Sequence, residues 1–145
     1  MGFKDLVFLT NTDTTIGFVS QNYQQLSIIK NRLPNKHYIK AISSLKELKK
    51  STRVSNIHKN RVRRAKKTTF IIKSKSYRIV KNKNHLLLLD RLKWAYTTSA
   101  NLSGKEYDKE FAKNSCDVEI SFKSSSNSSA SKIYKLNNLR ISRIR

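Results

Sequence analysis

Two short polar segments contain the residue types best suited to hold a small polar substrate. They are TNTDTTIGF at residues 10–18 and SANLSG at residues 99–104, and each follows a predicted strand. Each also contains one of the three glycines of the chain, Gly17 or Gly104. Glycine allows a ligand to approach the backbone closely, while Thr, Ser and Asn supply neutral hydrogen-bond donors and acceptors. The two segments therefore predict substrate-binding loops, with ordinary turns as the alternative.

A cluster of cations follows the first predicted helix. Lys30, Arg32 and Lys36 lie within the segment KNRLPNK, before the next predicted strand. Arginine can bind phosphate through two parallel hydrogen bonds, and lysine binds it as a point charge. The chain contains neither a G-x-x-x-x-G-K-[ST] segment nor a G-x-G-x-x-G segment, so a nucleotide site would depend on such side chains. The alternative is a basic helix end that faces solvent.

The strongest compositional signal is the formal net charge of +22, which comes from 31 Lys and Arg against 9 Asp and Glu. A field of this size attracts polyanions, and RNA or nucleotide phosphates are the natural partners. A second explanation is also open, because lysine outnumbers arginine and Asn, Ile and Ser are plentiful, a bias that AT-rich coding sequences produce. The two explanations are compatible, and the charge alone predicts only that a partner is anionic.

The length and residue content exclude several classes of protein. At 145 residues the chain fits one domain, residues 1–145, with a modest core. It has no stretch of about eighteen apolar residues and no secretory signal, so a soluble, cytoplasmic protein without a membrane partner is predicted. Cys116 is the only cysteine and is not spaced with His37, His58 and His85 as metal ligands are, so neither an internal disulfide nor a metal site is expected.

Hydrophobic periodicity predicts the elements that position these residues. Strands are predicted at residues 6–9, 37–42, 68–73, 76–80, 95–98, 118–122, 133–136 and 139–144. Helices are predicted at residues 21–32, 44–50, 55–64, 86–94 and 105–113, with Ser20 as the N-cap of the first. The serine-rich segment 124–131 predicts a flexible loop. Strands and helices are interspersed without regular β-α-β alternation, which favours an α+β (mixed α/β) domain with a twisted mixed sheet and flanking helices.

The order of the polar and basic segments resembles that of the YrdC-like family. Members of that family carry, in sequence order, PT[DE]TVYGL after a strand, K-x-R-P after a helix, A-V-R-V on a strand, S-A-N-x-S-G, P-S-T and a late arginine. The corresponding segments here are NTDTTIGF at 11–18, KNRLPNK at 30–36, SYRIV at 76–80, SANLSG at 99–104, SASKIYKL at 129–136 and RIR at 143–145. The chain is thus similar to a compact and divergent member with one YrdC-like domain.

This resemblance implies an enzyme that makes L-threonylcarbamoyladenylate. Such an enzyme is a nucleotidyltransferase that combines L-threonine, bicarbonate and ATP and releases pyrophosphate. Its product serves the first step of threonylcarbamoyladenosine modification of tRNA, and a partner transferase complex then moves the threonylcarbamoyl group to tRNA. The resemblance also implies that Mg²⁺ accompanies the ATP, held mainly by phosphates and water.

The resemblance assigns roles to nine residues, residue by residue. Those expected to contact threonine or its carbamate are Thr12, Arg78, Ser99 and Ser131. Those expected to contact ATP are Lys30, Arg32, Lys36, Asn101 and Arg145. No protein nucleophile and no metal ligand is expected, because positioning and electrostatic stabilisation of the phosphates carry this kind of reaction.

Two other functional classes fit the same composition. One is a noncatalytic basic module that binds tRNA or double-stranded RNA, with the cluster RRAKK at residues 63–67 contacting phosphates. The aromatic residues show no interleaving with cations along the sequence, which argues against a reader of single strands. The other is a basic protein of the ribosomal type. The enzyme and the binding module differ in one structural respect, since only the enzyme requires Thr12, Arg32, Arg78, Ser99 and Asn101 to converge on one cavity.

Overall fold

A nine-stranded sheet is the centre of the described chain, which in this computed structural model comprises residues 2–12, 15–33, 37–120 and 131–145. The strands are β1 (Phe8–Asn11), β2 (Ile16–Ser20), β3 (Ile39–Ile42), β4 (Thr68–Ile72), β5 (Lys75–Ile79), β6 (Trp94–Ser99), β7 (Val118–Glu119), β8 (Lys132–Leu136) and β9 (Ile141–Arg143). The helices are α1 (Tyr23–Lys30), α2 (Leu45–Leu48), α3 (Lys59–Arg64), α4 (Lys83–Leu92) and α5 (Lys109–Ser115), and a single 3₁₀ turn at Phe3–Asp5 precedes β1.

The sheet is mixed, as the sequence predicted. Its strand order is β7-β1-β2-β6-β3-β5-β4-β8-β9. The pairs β7-β1, β3-β5 and β4-β8 are parallel, and the other five neighbouring pairs are antiparallel. Strands from the two halves of the chain are therefore interspersed across the sheet. This order places three segments near the central strand β5. They are the segment after β1, the end of β6 and the segment before β8.

In the segment predicted as a turn or loop, Thr10 and Asn11 belong to β1 and residues 16–18 belong to β2. β1 extends to Asn11 and pairs with β2, so that Thr10 faces Gly17 and Asn11 faces Ile16. Gly17 is therefore a strand residue and not a loop residue. A Cβ built on Gly17 would lie 2.6 Å from the backbone oxygen of Thr98, so glycine is needed because β2 and β6 approach closely here. The pattern of polar residues concealed the strand.

The first helix starts later than its predicted boundary. Its N-cap is Asn22, whose side chain accepts a hydrogen bond from the backbone nitrogen of Gln25 at 3.1 Å. Ser20, the predicted N-cap, is the last residue of β2, and its hydroxyl accepts from the backbone nitrogen of Asn22 instead. The helix ends at Lys30, and its C-cap, Asn31, adopts the left-handed conformation with φ of 50°. Asparagine tolerates this conformation better than most residues, so the ending is local in origin.

The helix α4 begins three residues before its predicted start. Asn82 caps it by accepting hydrogen bonds from the backbone nitrogens of Asn84 and His85. The buried stripe of the helix has the spacing of one helical face and consists of His85, Leu88, Leu89 and Leu92. Leu87, within the same leucine run, is 63% exposed. The run LLLL therefore belongs to a helix with one buried side, as opposed to one buried all round.

The remaining predicted helices exist but have different bounds. α2 and α3 are shorter than predicted, and α5 begins four residues later, at Lys109. The predicted strand at residues 118–122 is observed as β7, and its residues after 120 lie outside the described residues, as does most of the predicted loop 124–131. No helix within the described ranges has the length and apolar character needed to cross a membrane.

The two faces of the sheet pack against different helices. Successive strand residues point to opposite faces, and neighbours such as Ala41 and Ile42 belong to different hydrophobic clusters. One face packs against α4 through residues that include Val19, Ala41 and Ala95. The other face packs against α2 and α3 at one end and against α1 and α5 at the other. The helices leave part of each face uncovered, and polar residues lie in those parts.

Candidate functional site

A cavity of about 460 Å³ opens on the face of the sheet that packs against α4. Six of the nine sequence-predicted site residues line it, and they come from six separate segments of the chain. They are Thr12, Arg32, Arg78, Ser99, Ser131 and Arg145. The chain therefore brings the predicted threonine-binding group together with two of the predicted ATP-binding residues.

The strand registers explain why the central residues share a face. Ala41 of β3 is the partner of Arg78 in β5 and of Ala95 in β6. Directly paired residues in a sheet project from the same face, and Thr97 lies two residues after Ala95. Arg78, Thr97 and Ser99 therefore project on the α4 side, beyond the apolar residues that α4 covers.

Arg78 is buried in the cavity wall and held by two hydroxyl groups. Its side chain is only 4% exposed. Its Nε and Nη2 donate to Oγ1 of Thr69 at 3.2 and 3.1 Å, and Nη2 also donates to Oγ of Ser131 at 3.2 Å. The hydroxyls of Thr69 and Ser131 are themselves 3.1 Å apart. This network fixes the plane of the guanidinium group, which is the property needed for bidentate recognition of a carboxylate.

Ser131 also accepts hydrogen bonds from Arg145. Arg145 donates from Nε to the backbone oxygen of Ser131 at 3.1 Å and from Nη2 to its hydroxyl at 3.4 Å. The backbone of Arg145 is bonded to Ile133 of β8 in both directions. The late arginine is thus positioned by the β8-β9 hairpin and lies beside the buried guanidinium of Arg78.

Arg32 occupies another side of the cavity, just after α1. Its Nη2 donates to the backbone oxygen of His37 at 3.1 Å, and its guanidinium carbon lies 4.6 Å from the centre of the Tyr38 ring. Arginine stacked on an aromatic ring in this way gains a cation–π contact. The Tyr38 hydroxyl is hydrogen-bonded to Ser27 at 2.9 Å, which fixes the ring under the guanidinium group.

Thr12 lies at the tip of the β1-β2 hairpin. Its backbone nitrogen donates to the backbone oxygen of Thr15 at 3.0 Å, and its hydroxyl accepts from the nitrogen of Thr15 at 3.2 Å. The same hydroxyl donates to the oxygen of Thr15. These bonds close the tip and hold Thr12, which is 3% exposed, in the cavity wall.

Lys30 supports the SANLSG segment and does not line the cavity. Its Nζ donates to the backbone oxygens of Ser99 and Asn101 at 2.7 and 2.8 Å, and its own backbone oxygen accepts from Ser103 at 3.1 Å. Burial, and secondarily the charge of Arg32, lowers the pKa of Lys30 to about 8. The ammonium group is committed to carbonyl oxygens, so a direct role in binding phosphate would require these bonds to break.

Asn101 likewise shapes the loop from within. Its Nδ2 donates to the backbone oxygens of Leu102 and Lys105 at 2.9 and 2.8 Å. Gly104 adopts a positive φ of 76° in the same loop, a conformation that favours glycine. Of the five residues that the enzyme would require to converge on one cavity, Thr12, Arg32, Arg78 and Ser99 line it and Asn101 does not. Lys30 ties Asn101 to Ser99. Lys36 lies outside the described residues.

Sequence reasoning missed several residues of this site. Thr69 and Thr97 are buried polar residues. Thr69 lies in a segment that was predicted as an apolar strand, and Thr97 lies in a strand that was predicted to continue into the next loop. His37 and Tyr38 line the cavity just before β3. A usable signal existed only for Thr97, which shares the alternation of Ala95 and Ser99 along β6. No local sequence pattern indicated Thr69, because its role depends on Arg78 and Ser131, which are distant from it in sequence.

The cavity is electropositive. Three guanidinium groups line it, and none of its lining residues in the described ranges is acidic. Such a site favours an anionic ligand, and arginines keep their charge at any physiological pH. Among the described residues no group of three His, Cys, Asp or Glu could hold a metal ion. The described lining thus offers no carboxylate to an ion such as Mg²⁺.

A buried histidine adjoins this face of the sheet. His85 of α4 has no solvent exposure, and neither of its ring nitrogens has a hydrogen-bond partner among the residues that the structure describes. Burial, followed by the nearby charge of Arg78, lowers the pKa of His85 to about 3. The ring is therefore neutral at physiological pH and serves as part of the packed stripe of α4.

Comparisons with known proteins identify sequence relatives that lack an assigned function. No family model matches the chain. It is 32% identical to the protein described as "Uncharacterized protein MG259 homolog" of Mycoplasma pneumoniae, over 97% of this chain and 32% of that protein. It is 36% identical to "Uncharacterized protein MG259" of Mycoplasma genitalium, over 70% of this chain and 22% of that protein. The chain thus spans about a third or less of the length of these curated relatives.

Solved structures share the fold at low sequence identity. P. abyssi Sua5 complexed with L-threonine superposes with a TM-score of 0.81 and 15% identity, over 97% of this chain and 50% of that chain. E. coli YciO has a TM-score of 0.76 and 17% identity, over 98% and 83% of the two chains. MTH1692 of Methanobacterium thermoautotrophicum has a TM-score of 0.67 and 17% identity, over 89% and 74%. Identities of this size establish the fold alone.

Proposed function

We propose that this chain, which has the YrdC-like fold, is an L-threonylcarbamoyladenylate synthase. Its substrates would be L-threonine, bicarbonate and ATP. The product would feed the first step of threonylcarbamoyladenosine modification of tRNA, with a separate transferase as the next partner. The fold agrees with the one that the order of motifs predicted, and the activity is the proposal.

One observation carries the proposal. Residues from six distant segments, each predicted from its motif to touch threonine or ATP, line a single electropositive cavity. A basic protein that only coats RNA has no need for a recessed cluster of arginines and hydroxyls. The L-threonine complex of P. abyssi Sua5, a protein of the same fold, also supports an amino-acid ligand for this architecture.

The threonine end of the substrate fits the inner part of the cavity. The fixed guanidinium of Arg78 would bind the threonine carboxylate, because its orientation is set by Thr69 and Ser131 before any ligand arrives. The hydroxyl of Ser99 would bind the carbamate, which forms when the threonine amine condenses with bicarbonate and water leaves. Thr12, whose hydroxyl is bonded to Thr15, would form the wall beside the carbamate. Little reorganisation would then be needed on binding.

The phosphate end fits the outer arginines. A carbamate oxygen would attack the α-phosphorus of ATP, the bond from that phosphorus to the bridging oxygen would break, and pyrophosphate would leave. Arg32 and Arg145 would stabilise the charge on the phosphates, with Lys36 as a further cation. Mg²⁺ bound by the phosphates and water would neutralise part of the same charge. Lys30 and Asn101 would act by holding the loop that presents Ser99.

Two substitutions test the proposal. We expect Arg32→Ala and Asn101→Ala each to reduce adenylate formation at least tenfold, since one removes a phosphate contact and the other loosens the loop, a roughly 1.4 kcal/mol effect or larger. Retention of RNA should stay close to that of the unaltered protein. The assay is threonine-dependent release of pyrophosphate with labelled bicarbonate, ATP and Mg²⁺.

Matched controls are available on exposed helices. Arg61→Ala on α3 and Asn114→Ala on α5 remove the same side chains far from the cavity lining, and both should leave adenylate formation unchanged. Absence of threonine-dependent pyrophosphate release by the unaltered protein would refute the enzyme proposal.

The second candidate function is the noncatalytic RNA-binding module. It is favoured by the charge of the chain, since 31 basic residues face 9 acidic ones and the described residues contain one ion pair, Lys50 with Glu47. In that case Arg32→Ala and Asn101→Ala would weaken RNA retention equally, and the unaltered protein would release no pyrophosphate.

A further inference from the structure

A second recess, of about 520 Å³, lies on the opposite face of the sheet from the arginine-lined cavity. We call it the tyrosine groove and define it by Tyr23, Lys40, Lys75, Tyr77 and Tyr96. It lies where the sheet is uncovered between α1 and α2. The groove plays no part in the proposed adenylate chemistry.

Strand registers place the groove on the opposite face. Lys40 is directly paired with Tyr77 in β5 and with Tyr96 in β6. These three residues alternate with Ala41, Arg78 and Thr97 along their strands, and successive residues project to opposite faces. A ligand in the groove would therefore be separated from Arg78 by the sheet itself. His37 and Tyr38, which lie just before β3, line both recesses.

An aromatic cluster forms one wall of the groove. The Tyr96 ring makes edge-on contacts with the rings of Tyr23 and Trp94, at centroid distances of 6.0 and 5.2 Å, and lies 6.5 Å from that of Tyr38. Tyr23 is 47% exposed, so part of its ring is open to a ligand. These rings come from three segments of the chain, and only the fold interleaves them with cations.

Lysines form the other part of the groove. Nζ of Lys40 lies 4.1 Å above the ring of Trp94 and donates to the hydroxyl of Ser51 at 2.9 Å. Burial, and after it the charge of Lys75, lowers the pKa of Lys40. Two like charges therefore act on each other here. An anion bound between them would relieve that repulsion, and a phosphate group has the size and charge to do so.

We propose that the tyrosine groove binds an unpaired segment of RNA. Bases would stack on the exposed ring of Tyr23 beside Tyr96, and backbone phosphates would contact Lys40 and Lys75. Stacking platforms combined with cations are how proteins hold single strands. A duplex does not fit, because its bases are stacked inside the helix and cannot enter a recess. The hydroxyl of Ser51, which also lines the groove and accepts from Lys40, can donate to a ribose 2′-hydroxyl.

The primary test is binding of a fluorescently labelled ten-nucleotide unpaired RNA, followed by anisotropy. We expect Tyr23→Ala to weaken binding about fivefold or more, since stacking of one base contributes roughly 1–3 kcal/mol. The matched control is Tyr107→Ala, because Tyr107 is 48% exposed and lies outside the groove. It should bind the RNA as the unaltered protein does.

The charge contribution is tested through salt dependence. Lys75→Ala should reduce the slope of log affinity against log salt by about 0.7, the value for one phosphate contact on a single strand. Lys109→Ala, on exposed α5, removes the same charge elsewhere and should reduce the slope less. Equal effects of the groove and control substitutions would mean diffuse charge binding and would overturn the proposal.

Two further measurements define the ligand, namely the binding of duplex RNA and the binding of single-stranded DNA. Tighter binding of a duplex RNA, or equal binding of single-stranded DNA with the same base sequence, would overturn the assignment to unpaired RNA. Adenylate formation by Tyr23→Ala should equal that of the unaltered protein. Failure of the groove proposal and failure of the synthase proposal are thus distinguishable, because they are read in separate assays.

Discussion

The two faces of the sheet use positive charge in different ways. In the cavity on the α4 side the cations are arginines, and each is fixed by hydroxyl or carbonyl oxygens, as Arg78 is by Thr69 and Ser131. In the tyrosine groove the cations are lysines beside aromatic rings, as Lys40 is above Trp94. The same net charge of +22 thus supplies directed hydrogen bonds on one face and point charges on the other.

This difference has a chemical meaning. A guanidinium group held in one orientation discriminates between ligands by geometry, whereas an ammonium on a flexible stem attracts any nearby anion. The arginine-lined cavity therefore fits a small substrate whose atoms must be aligned for reaction. The groove fits a polymer whose phosphates repeat and whose bases stack regardless of sequence.

The largest expected effect comes from Arg78→Lys, which keeps the charge and removes the fixed fork. We expect adenylate formation to fall about a hundredfold or more, because an ammonium group lacks the planar fork that donates two parallel hydrogen bonds to a carboxylate. Binding of unpaired RNA should change less than twofold. The two assays are pyrophosphate release and RNA anisotropy. Parallel losses in both would show that the faces do not act separately.

A second substitution is expected to damage both faces together. Gly17→Ala would force β2 away from β6, because the added Cβ would lie 2.6 Å from the backbone oxygen of Thr98. We expect a loss of about 1–3 kcal/mol in the free energy of unfolding, which urea denaturation measures. β6 contributes Ser99 to one face and Tyr96 to the other, so both activities should decline on warming.

The control for that substitution is Gly2→Ala. A Cβ at Gly2 would meet only a carboxylate oxygen of Asp5, at an ordinary contact distance of 3.7 Å. Its urea midpoint should match that of the unaltered protein. An unchanged midpoint for Gly17→Ala as well would mean that the strands separate without cost and that the close approach is not a constraint.

The smallest effect at neutral pH is expected from His85→Leu, which tests the packing behind the arginine-lined cavity. The two ring nitrogens of His85 are buried without hydrogen-bond partners in the described part of the chain, so an apolar side chain of similar size should stabilise the protein by about 1 kcal/mol at pH 7. His58→Leu is the contrasting variant, because the His58 ring is hydrogen-bonded to the backbone oxygen of Asn137 at 2.9 Å. That variant should be destabilised.

The His85 variant also has a predicted pH dependence. The folded protein holds the pKa of His85 at about 3, below the ordinary histidine value of 6.5, so the unfolded chain binds the proton more readily. The neutral ring therefore contributes its full share to the free energy of unfolding above pH 6.5. This contribution decreases as the pH falls toward 3, by about 1.4 kcal/mol per pH unit. His85→Leu should lose less stability between pH 7 and pH 5, and equal slopes in the two proteins would contradict this pKa.

Sequence reasoning located most of the fold. Regular alternation and apolar runs were enough for β3, β5 and β6, and the mixed sheet is confirmed. The hairpin strand β2 was missed because its neighbours are threonines and asparagine, which favour turns when judged locally. The cap at Asn22 was assigned to Ser20 for a related reason, since both residues are good caps and only the extent of β2 decides between them.

Most residues of the candidate site could be predicted from the sequence, but the contacts that their side chains make could not. Motif order selected Thr12, Arg32 and Arg78 among the residues that line one cavity. It also selected Lys30 for phosphate binding, although that ammonium bonds the oxygens of Ser99 and Asn101. Which polar atoms a side chain reaches depends on packing between segments about seventy residues apart, and such distances leave no local pattern.

The sequence by itself determined the charge, the approximate elements and the polar residues available for chemistry, because these follow from residue type and short-range periodicity. Only the tertiary structure decided which face of the sheet each cation occupies, since a shift of one residue in strand register would exchange the faces of Lys40 and Ala41. The pairing of β3 with β5 and β6 fixes that register. It thereby separates an arginine-lined cavity from a tyrosine-lined groove.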